Sequence, residues 1–498
     1  MLSSTRLPRS VGHALWRRAF STAPELKSPA LNLRKNVFAE FSGLAVAHNS
    51  LNLGQGFPSY GTPSYVTKLS PCICLRQWTD GFAHVICSLL RRFMKEAAIE
   101  FIQQEQNQYT RPGGNPQLVK VLADVYSPWY NRELNPMTEI VTFTGAQEGI
   151  FCIFLSLLSQ GDEVLVIEPF FDAYINIALL LGVKTVGVPL EMNAATKAKY
   201  NDPHCHDKFS SKDLTIDLAK LEASITPNTK MIVLNTPHNP TGKVFSKDEL
   251  EGILGVLDRH PQVCTGMTSH DIIILSDEVY EFACFDGTPH ERIATYDGMF
   301  DRVISLFSAG KTFSCTGWRV GYVFVCHALI ATYAILPQKY ADLVAKTHSA
   351  IPFCGALPFE LAVAKGFQAA ATNGYLDQLP KLLEKKRDTV VDALEKANLK
   401  PIVPDGGYFV CCNVSSLASY DEFKHLETVE NLPAEERPDY QMAKKMCIEQ
   451  GLTVIPTSPF YSNVRNQPSP ALVRIAYCKD DATIDGAVKL IESFKQQP

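Results

Sequence analysis

The chain has 498 residues, 46% of them hydrophobic and 20% charged, and its 47 Lys plus Arg against 52 Asp plus Glu give a formal net charge of −5. That is the make-up of a globular protein with a large core and, from its length, two or three domains; it has no overall basic field to attract nucleic acid or anionic lipid. The 14 cysteines are scattered without dense pairing, so they read as reduced thiols acting as small core residues and exclude a secreted disulfide scaffold.

Taken in order, residues 1–22 come first. Arg6, Arg9, Arg17 and Arg18 stand among Ser, Thr, Ala and Leu, with no acidic residue before Glu25. This is the composition of a mitochondrial transit peptide, with cleavage expected near Ser21. It predicts a location in the matrix, and an alternative start would leave the protein in the cytoplasm. The longest apolar window, Val320 to Leu336, contains His327 and Thr332; it reads as a buried strand and helix, and no membrane span is expected.

From about Glu96 short apolar runs alternate with helical patterns. Ile140–Phe143, Val164–Ile167, Met231–Leu234, Ile272–Leu275 and Val303–Leu306 read as buried parallel strands, and Gly149–Leu158 as a helix. Open α/β sheets gather their sites at the strands' carboxyl ends, so the polar clusters following these runs are where chemistry is expected. Past Gly374 a charged helix carries Leu379, Leu383, Val390 and Leu394 on one face. Gly406-Gly-Tyr-Phe409 and a final strand, Leu472–Tyr477, complete a smaller α+β domain. The expected layout is an N-terminal segment over 23–65, a large domain over 96–373 and a small domain over 374–498, with residues 66–93 set apart.

Four clusters stand out: Asn235-Thr-Pro-His-Asn-Pro-Thr-Gly242, Asp277-Glu-Val-Tyr280, Ser308-Ala-Gly-Lys311 and Gly317-Trp-Arg319. Singly each is weak, since an Asp after a strand is usually a helix cap and a Lys usually a solvated surface residue. Their fixed order is what carries information. The set Asn239, Asp277, Tyr280, Ser308-x-x-Lys311 and Arg319 resembles the class I/II branch of the fold-type I aminotransferases, and the likeness runs from about Leu51 to Phe494.

The resemblance implies an α/β fold, with a mostly parallel sheet in the large domain, and pyridoxal 5′-phosphate as cofactor. Lys311 would attach the cofactor and move the proton at the substrate Cα. Asp277 would face the pyridine nitrogen, which must stay protonated for the ring to act as an electron sink. Tyr280 and Asn239 would bind the ring hydroxyl. Ser308, Arg319 and the Gly145-Ala146-Gln147 turn would hold the phosphate, where positive charge and backbone N–H groups meet. Phe171 would stack on the ring. Arg474, inside the apolar strand Leu472-Val-Arg-Ile-Ala-Tyr477, would take the substrate's α-carboxylate with its planar fork. Pairing with an internal acid is the alternative for a buried arginine.

Leu51-Asn-Leu-Gly-Gln-Gly-Phe-Pro58, Asn107-Gln-Tyr-Thr110, Glu168-Pro-Phe-Phe-Asp172 and Ser308-Ala-Gly-Lys-Thr-Phe-Ser314 narrow the resemblance to the kynurenine aminotransferase and cysteine-S-conjugate β-lyase subgroup. There Gly56 would approach the substrate carboxylate, and Tyr109 would cross a homodimer interface to the partner's phosphate. Phe38 stands where relatives often carry Trp. Phe38, Phe57, Phe171 and Tyr109 form an expected apolar ring favouring large neutral side chains, and no second arginine is placed for a distal carboxylate. The implied substrates are an amino acid, L-kynurenine foremost, and a 2-oxo acid, with kynurenate as product. β-Elimination from cysteine conjugates, or transamination of other aromatic or glutamine-like amino acids, is the alternative.

One stretch departs from the pattern. Residues 66–93, with Cys72, Cys74, Trp78, Cys87 and Arg91-Arg92, interrupt a family motif and read as a retained intron or gene-model error; if genuine, the stretch would leave a catalytically impaired protein of the same fold. Cys72-x-Cys74 with His84 is too closely spaced for a zinc pair, and His204-Cys205-His206 offers poor geometry, so no metal is expected. The polar segment Asn193–Lys212 reads as a surface loop, and further extra residues fall near Thr332 to Val344.

Overall fold

The computed structural model describes residues 29–59, 82–325 apart from 203, 261, 264–268 and 271, and 340–494. The expected transit peptide, residues 60–81 and residues 326–339 lie outside them. Eight strands form the central sheet: β1 (Ile140–Phe143), β2 (Glu163–Glu168), β3 (Lys184–Met192), β4 (Leu214–Ile216), β5 (Thr229–Asn235), β6 (Ile273–Asp277), β7 (Val303–Ser308) and β8 (Gly321–Val325). They lie in the order β1-β8-β7-β6-β5-β2-β3-β4. The run from β7 to β3 is parallel, whereas β8 is antiparallel to both its neighbours and β4 to β3.

Continuous apolar strands arise because both sheet faces are covered. With side chains alternating along a strand, Val164, Val166, Met231 and Val233 enter one core and Leu165, Ile167, Ile232 and Leu234 the other. Elements on the first side include α4 (Ala146–Leu157), α5 (Asp172–Leu181) and α6 (Tyr340–Ala350); those on the second include α3 (Pro116–Tyr126), α7 (Leu357–Asn373) and α8 (Tyr375–Lys396). In α8 the predicted stripe Leu379, Leu383, Val390 and Leu394 is buried.

The smaller sheet contains β9 (Lys400–Val403), β10 (Phe409–Asn413), β11 (Ile455–Pro456) and β12 (Leu472–Ala476) in the order β11-β12-β10-β9, extended by the short strand Phe209–Ser210. That last strand comes from within the range assigned to the large domain. The N-terminal helix α1 (Val37–Ala47) packs on α9 (Pro438–Ile448), and Leu51–Asn52 pairs with Leu452–Thr453.

One sequence expectation is corrected. Residues 193–212 are not a loop: Ala194–Asn201 is a helix capped by Asn193, and the buried rings of Tyr200 and Phe209 meet edge to face at 4.9 Å. The segment's polarity is that of its outer face alone. α2 (Phe82–Gln103) runs from the later part of the stretch 66–93 into Lys95-Glu-Ala-Ala98 and lies against α7 and α8. Among the described residues no helix is long and apolar enough to cross a membrane.

Candidate active site

β5, β6 and β7 end on Asn235, Asp277 and Ser308, and the turn after β1 starts α4; these carboxyl ends open on a cleft that the smaller sheet closes with Arg474 and Phe409. The cleft encloses about 340 Å³, and its lining includes Gly56, Ala146, Gln147, Phe171, Asn239, Asp277, Tyr280, Ser308, Lys311, Arg319, Arg474 and Phe38. Residues spread over more than 400 positions thus meet in one place.

At the centre, Lys311 Nζ donates to the Gly56 carbonyl at 2.7 Å and lies 5.2 Å from the Tyr280 ring centroid. Burial, with help from Arg474, lowers its pKa to about 8 despite Cys478 and Asp277 nearby. Tyr408, whose hydroxyl donates to the Lys311 carbonyl at 2.6 Å, fixes the backbone that carries the amine.

Asp277 is buried, and burial pushes its carboxyl up to about 6. Opposing that are hydrogen bonds from the Tyr174 hydroxyl to Oδ2 at 2.5 Å and from the Val279 amide to Oδ1 at 3.3 Å. Asn235 joins β5 to β6 beside it, donating to the Asp277 carbonyl at 2.9 Å and accepting from the Asn239 amide at 2.7 Å. Behind this segment Glu278 and Glu281 point away from the cleft onto one buried arginine, Arg292, at 3.1 and 2.7 Å.

Arg474 is 1% exposed. Its fork donates to the Gly54 carbonyl at 2.8 Å and to Asn239 Oδ1 at 3.0 Å, leaving Nε without a partner. The guanidinium lies 4.0 Å from the Phe409 ring centroid and 4.9 Å from that of Phe38. Burial lowers its pKa to about 10. Among the described residues no carboxylate forms a salt bridge with it, so the arrangement differs from a structural ion pair.

At the far end Gly145 adopts φ +85°, and a Cβ there would fall 2.4 Å from the Arg319 guanidinium. Only glycine lets the start of α4 come this close to the cation. Arg319 donates to the Thr316 carbonyl at 3.1 Å and likewise has no carboxylate in salt-bridge range among the described residues.

This donor set fits pyridoxal phosphate. A helix start with an unpaired arginine and Ser308 suits a phosphate, the buried Asp277 suits a pyridinium, Phe171 offers a ring face, and Lys311 stands between them. Tyr109 is placed elsewhere: it is 81% exposed and meets Phe353 edge to face at 5.2 Å, so it does not join the apolar ring of its own chain. Phe409, from the Gly-Gly-Tyr-Phe segment, takes that place, and a Cβ on Gly56 would fall 2.3 Å from its ring. Tyr174, Asn235 and Tyr408 were given no role from the sequence. Tyr174 had one available signal, its helical spacing of three from Phe171.

Comparison with known proteins agrees with the geometry. The model for "Aminotransferase class I and II" matches residues 87–491. The Dictyostelium discoideum kynurenine–oxoglutarate transaminase is 37% identical over 91% of this chain and 92% of its own length. Mouse kynurenine–oxoglutarate transaminase 3 is 34% identical over 93% and 89%. Among solved structures, Saccharomyces cerevisiae Bna3p, described as a candidate kynurenine aminotransferase, superposes with a TM-score of 0.75 at 29% identity over 95% of this chain and all of that one. Thermus thermophilus aspartate aminotransferase, at 20% identity and a TM-score of 0.70 over 95% and 100%, shares the fold. The chain belongs to the class I and II aminotransferases, enzymes that depend on pyridoxal phosphate and act on amino and oxo acids.

Proposed function

We propose that this aminotransferase moves the amino group of L-kynurenine to a 2-oxo acid such as 2-oxoglutarate, leaving 4-(2-aminophenyl)-2,4-dioxobutanoate, which cyclises to kynurenate. The observation that carries this reading is the setting of Arg474. It is a buried fork with no carboxylate partner among the described residues, walled by Phe38 and Phe409, in a cleft whose other basic lining residues, Lys311 and Arg319, are placed to serve the cofactor. An α-carboxylate satisfies the fork bidentately, and an aryl side chain fills the aromatic wall. The relatives named for kynurenine and oxoglutarate support the same substrates.

Bound pyridoxal phosphate supplies a ring that accepts negative charge from the substrate Cα. The chain's own residues do the rest. Arg474 fixes the carboxylate and so orients the Cα–H bond. Lys311 Nζ, depressed toward neutrality by burial, removes that proton. Asp277 keeps a positive charge opposite its carboxylate, Tyr174 holds that carboxylate in place, and the aromatic wall excludes water.

Kynurenate formation from kynurenine and 2-oxoglutarate by purified protein tests the reading, with pyruvate release from a cysteine conjugate assayed beside it. Pyruvate without kynurenate would select the β-lyase reading and reject ours.

We also infer a homodimer in which Tyr109 serves the partner's site. Its exposure, next to the exposed Ile351 and Phe353, supports a surface that a second copy covers. Mixing inactive Tyr109→Ala and Lys311→Ala chains should restore activity, because one of the two sites in a mixed dimer then has both groups; no restoration would refute the assignment. The basic, acid-free residues 1–22 support mitochondrial import, and a reporter fused to them should enter mitochondria.

A further inference from the structure

One turn inside α4, away from the catalytic cleft, three potential ligands of different chemistry converge. Glu148 and Cys152 are four residues apart on one helical face, and His348 reaches them from α6, 200 positions along the chain from Glu148. Cys152 Sγ lies 2.7 Å from Glu148 Oε1, and His348 Nδ1 lies 3.0 and 3.1 Å from the two carboxylate oxygens. One ligand atom from each residue can be chosen so that all lie within 4.8 Å of one another. Cys152 and the His348 side chain are fully buried, and the Glu148 side chain is 16% exposed.

We propose that Glu148, Cys152 and His348 form a binding site for a thiophilic divalent cation of the zinc type. The mixed carboxylate, thiolate and imidazole set suits a borderline-soft ion, and hard calcium or magnesium would prefer oxygen alone. Tetrahedral bonds of about 2.0–2.3 Å put neighbouring ligand atoms about 3.3–3.5 Å apart, so the contacts of Cys152 and His348 with Glu148 need open by less than about 1 Å.

Charge favours the same conclusion. Among the described residues His348 is the only basic side chain within salt-bridge range of Glu148. Carboxylate, thiolate and a dication sum to zero. The balance is one proton: the cation replaces the thiol proton, which leaves to solvent, while the imidazole stays neutral as its proton moves from Nδ1 to Nε2.

The site ties α6 to the first turn of α4, directly after the Gly145-Ala146-Gln147 cradle. Ser156 and Thr347 already link the two helices at 2.7 Å. A bound cation therefore stiffens the cofactor's phosphate cradle without touching the reacting atoms.

Holoenzyme stripped with chelator and titrated with cobalt(II) tests this. One equivalent per chain should bind with visible ligand-field bands to the red of the cofactor's absorption, releasing one proton. Cys152→Ser and His348→Ala should each weaken binding by about 100-fold or more, and Cys152→Ser should keep the cofactor's absorbance and turnover. Zinc should displace cobalt stoichiometrically. Absence of the bands, or bands that persist in both variants, would overturn the site.

Discussion

Lys311 is a buried cation that costs the cofactor-free protein stability. Its pKa is brought from 10.5 to about 8 by burial, and 2.5 units correspond to about 3.4 kcal/mol. The sign follows from proton counts. Between pH 8 and 10.5 the unfolded chain binds more protons at this site, so the penalty is complete below about pH 8 and fades as pH rises toward 10.5. Lys311→Met removes it, together with the hydrogen bond to the Gly56 carbonyl, worth about 1 kcal/mol. The cofactor-free variant should therefore be more stable than the parent by roughly 2 kcal/mol at pH 7, and by only about 0.5 kcal/mol at pH 9.5. Urea unfolding at the two pH values measures both numbers. A variant less stable at pH 7, or an advantage that does not change with pH, would refute the picture of a desolvated amine.

Arg474→Met should raise KM for amino acids by about 100-fold or more, because two charge-assisted hydrogen bonds to the carboxylate are lost; steady-state kinetics check this, and the cofactor's absorbance should be unaffected. Tyr174→Phe removes the bond that holds Asp277 down, so the acidic limb of the kcat/KM profile should move up by about one pH unit and activity at pH 6 should fall. Arg292→Met leaves Glu281 buried without its cation and Glu278 with His290 alone, and chemical denaturation should show a loss of about 3–5 kcal/mol.

How much of this was legible in the sequence depends on whether the signal is local. The parallel strands were readable because burial on both faces leaves an uninterrupted apolar run that stops at a polar cluster, as β5 stops at Asn235 and β6 at Asp277. The insertion of β8 between β1 and β7, antiparallel to both, leaves no local mark, since strand direction is decided by connections elsewhere. Asn239, Asp277, Tyr280, Lys311 and Arg319 were legible through their order. Tyr174, Asn235 and Tyr408 were not, because each acts on a residue distant in sequence and none differs locally from a core or turn residue. In 193–212 the exposed polar face outweighs two buried rings that pack only in three dimensions.

The cations of the cleft also show what separates a binding arginine from a structural one. Arg292 is saturated by two glutamates, and Arg387 by Asp286 and Asp388; their fields are spent inside the fold. Among the described residues Arg474, Arg319 and Lys311 donate to neutral oxygens, those of Gly54, Asn239, Thr316 and Gly56. Their positive field remains available to a carboxylate and a phosphate, oriented before either arrives. Asn239→Asp isolates this property, since it preserves the shape and the hydrogen bond while placing a charge 3.0 Å from Arg474. At an effective dielectric constant of about 20 that pair attracts by about 5 kcal/mol before desolvation is counted, in direct competition with the substrate carboxylate. The variant should lose affinity for amino acids by about 100-fold or more, yet unfold no more readily than the parent in urea. Unchanged KM would show that Arg474 does not depend on neutrality at residue 239, and the distinction between spent and available cations would fall with it.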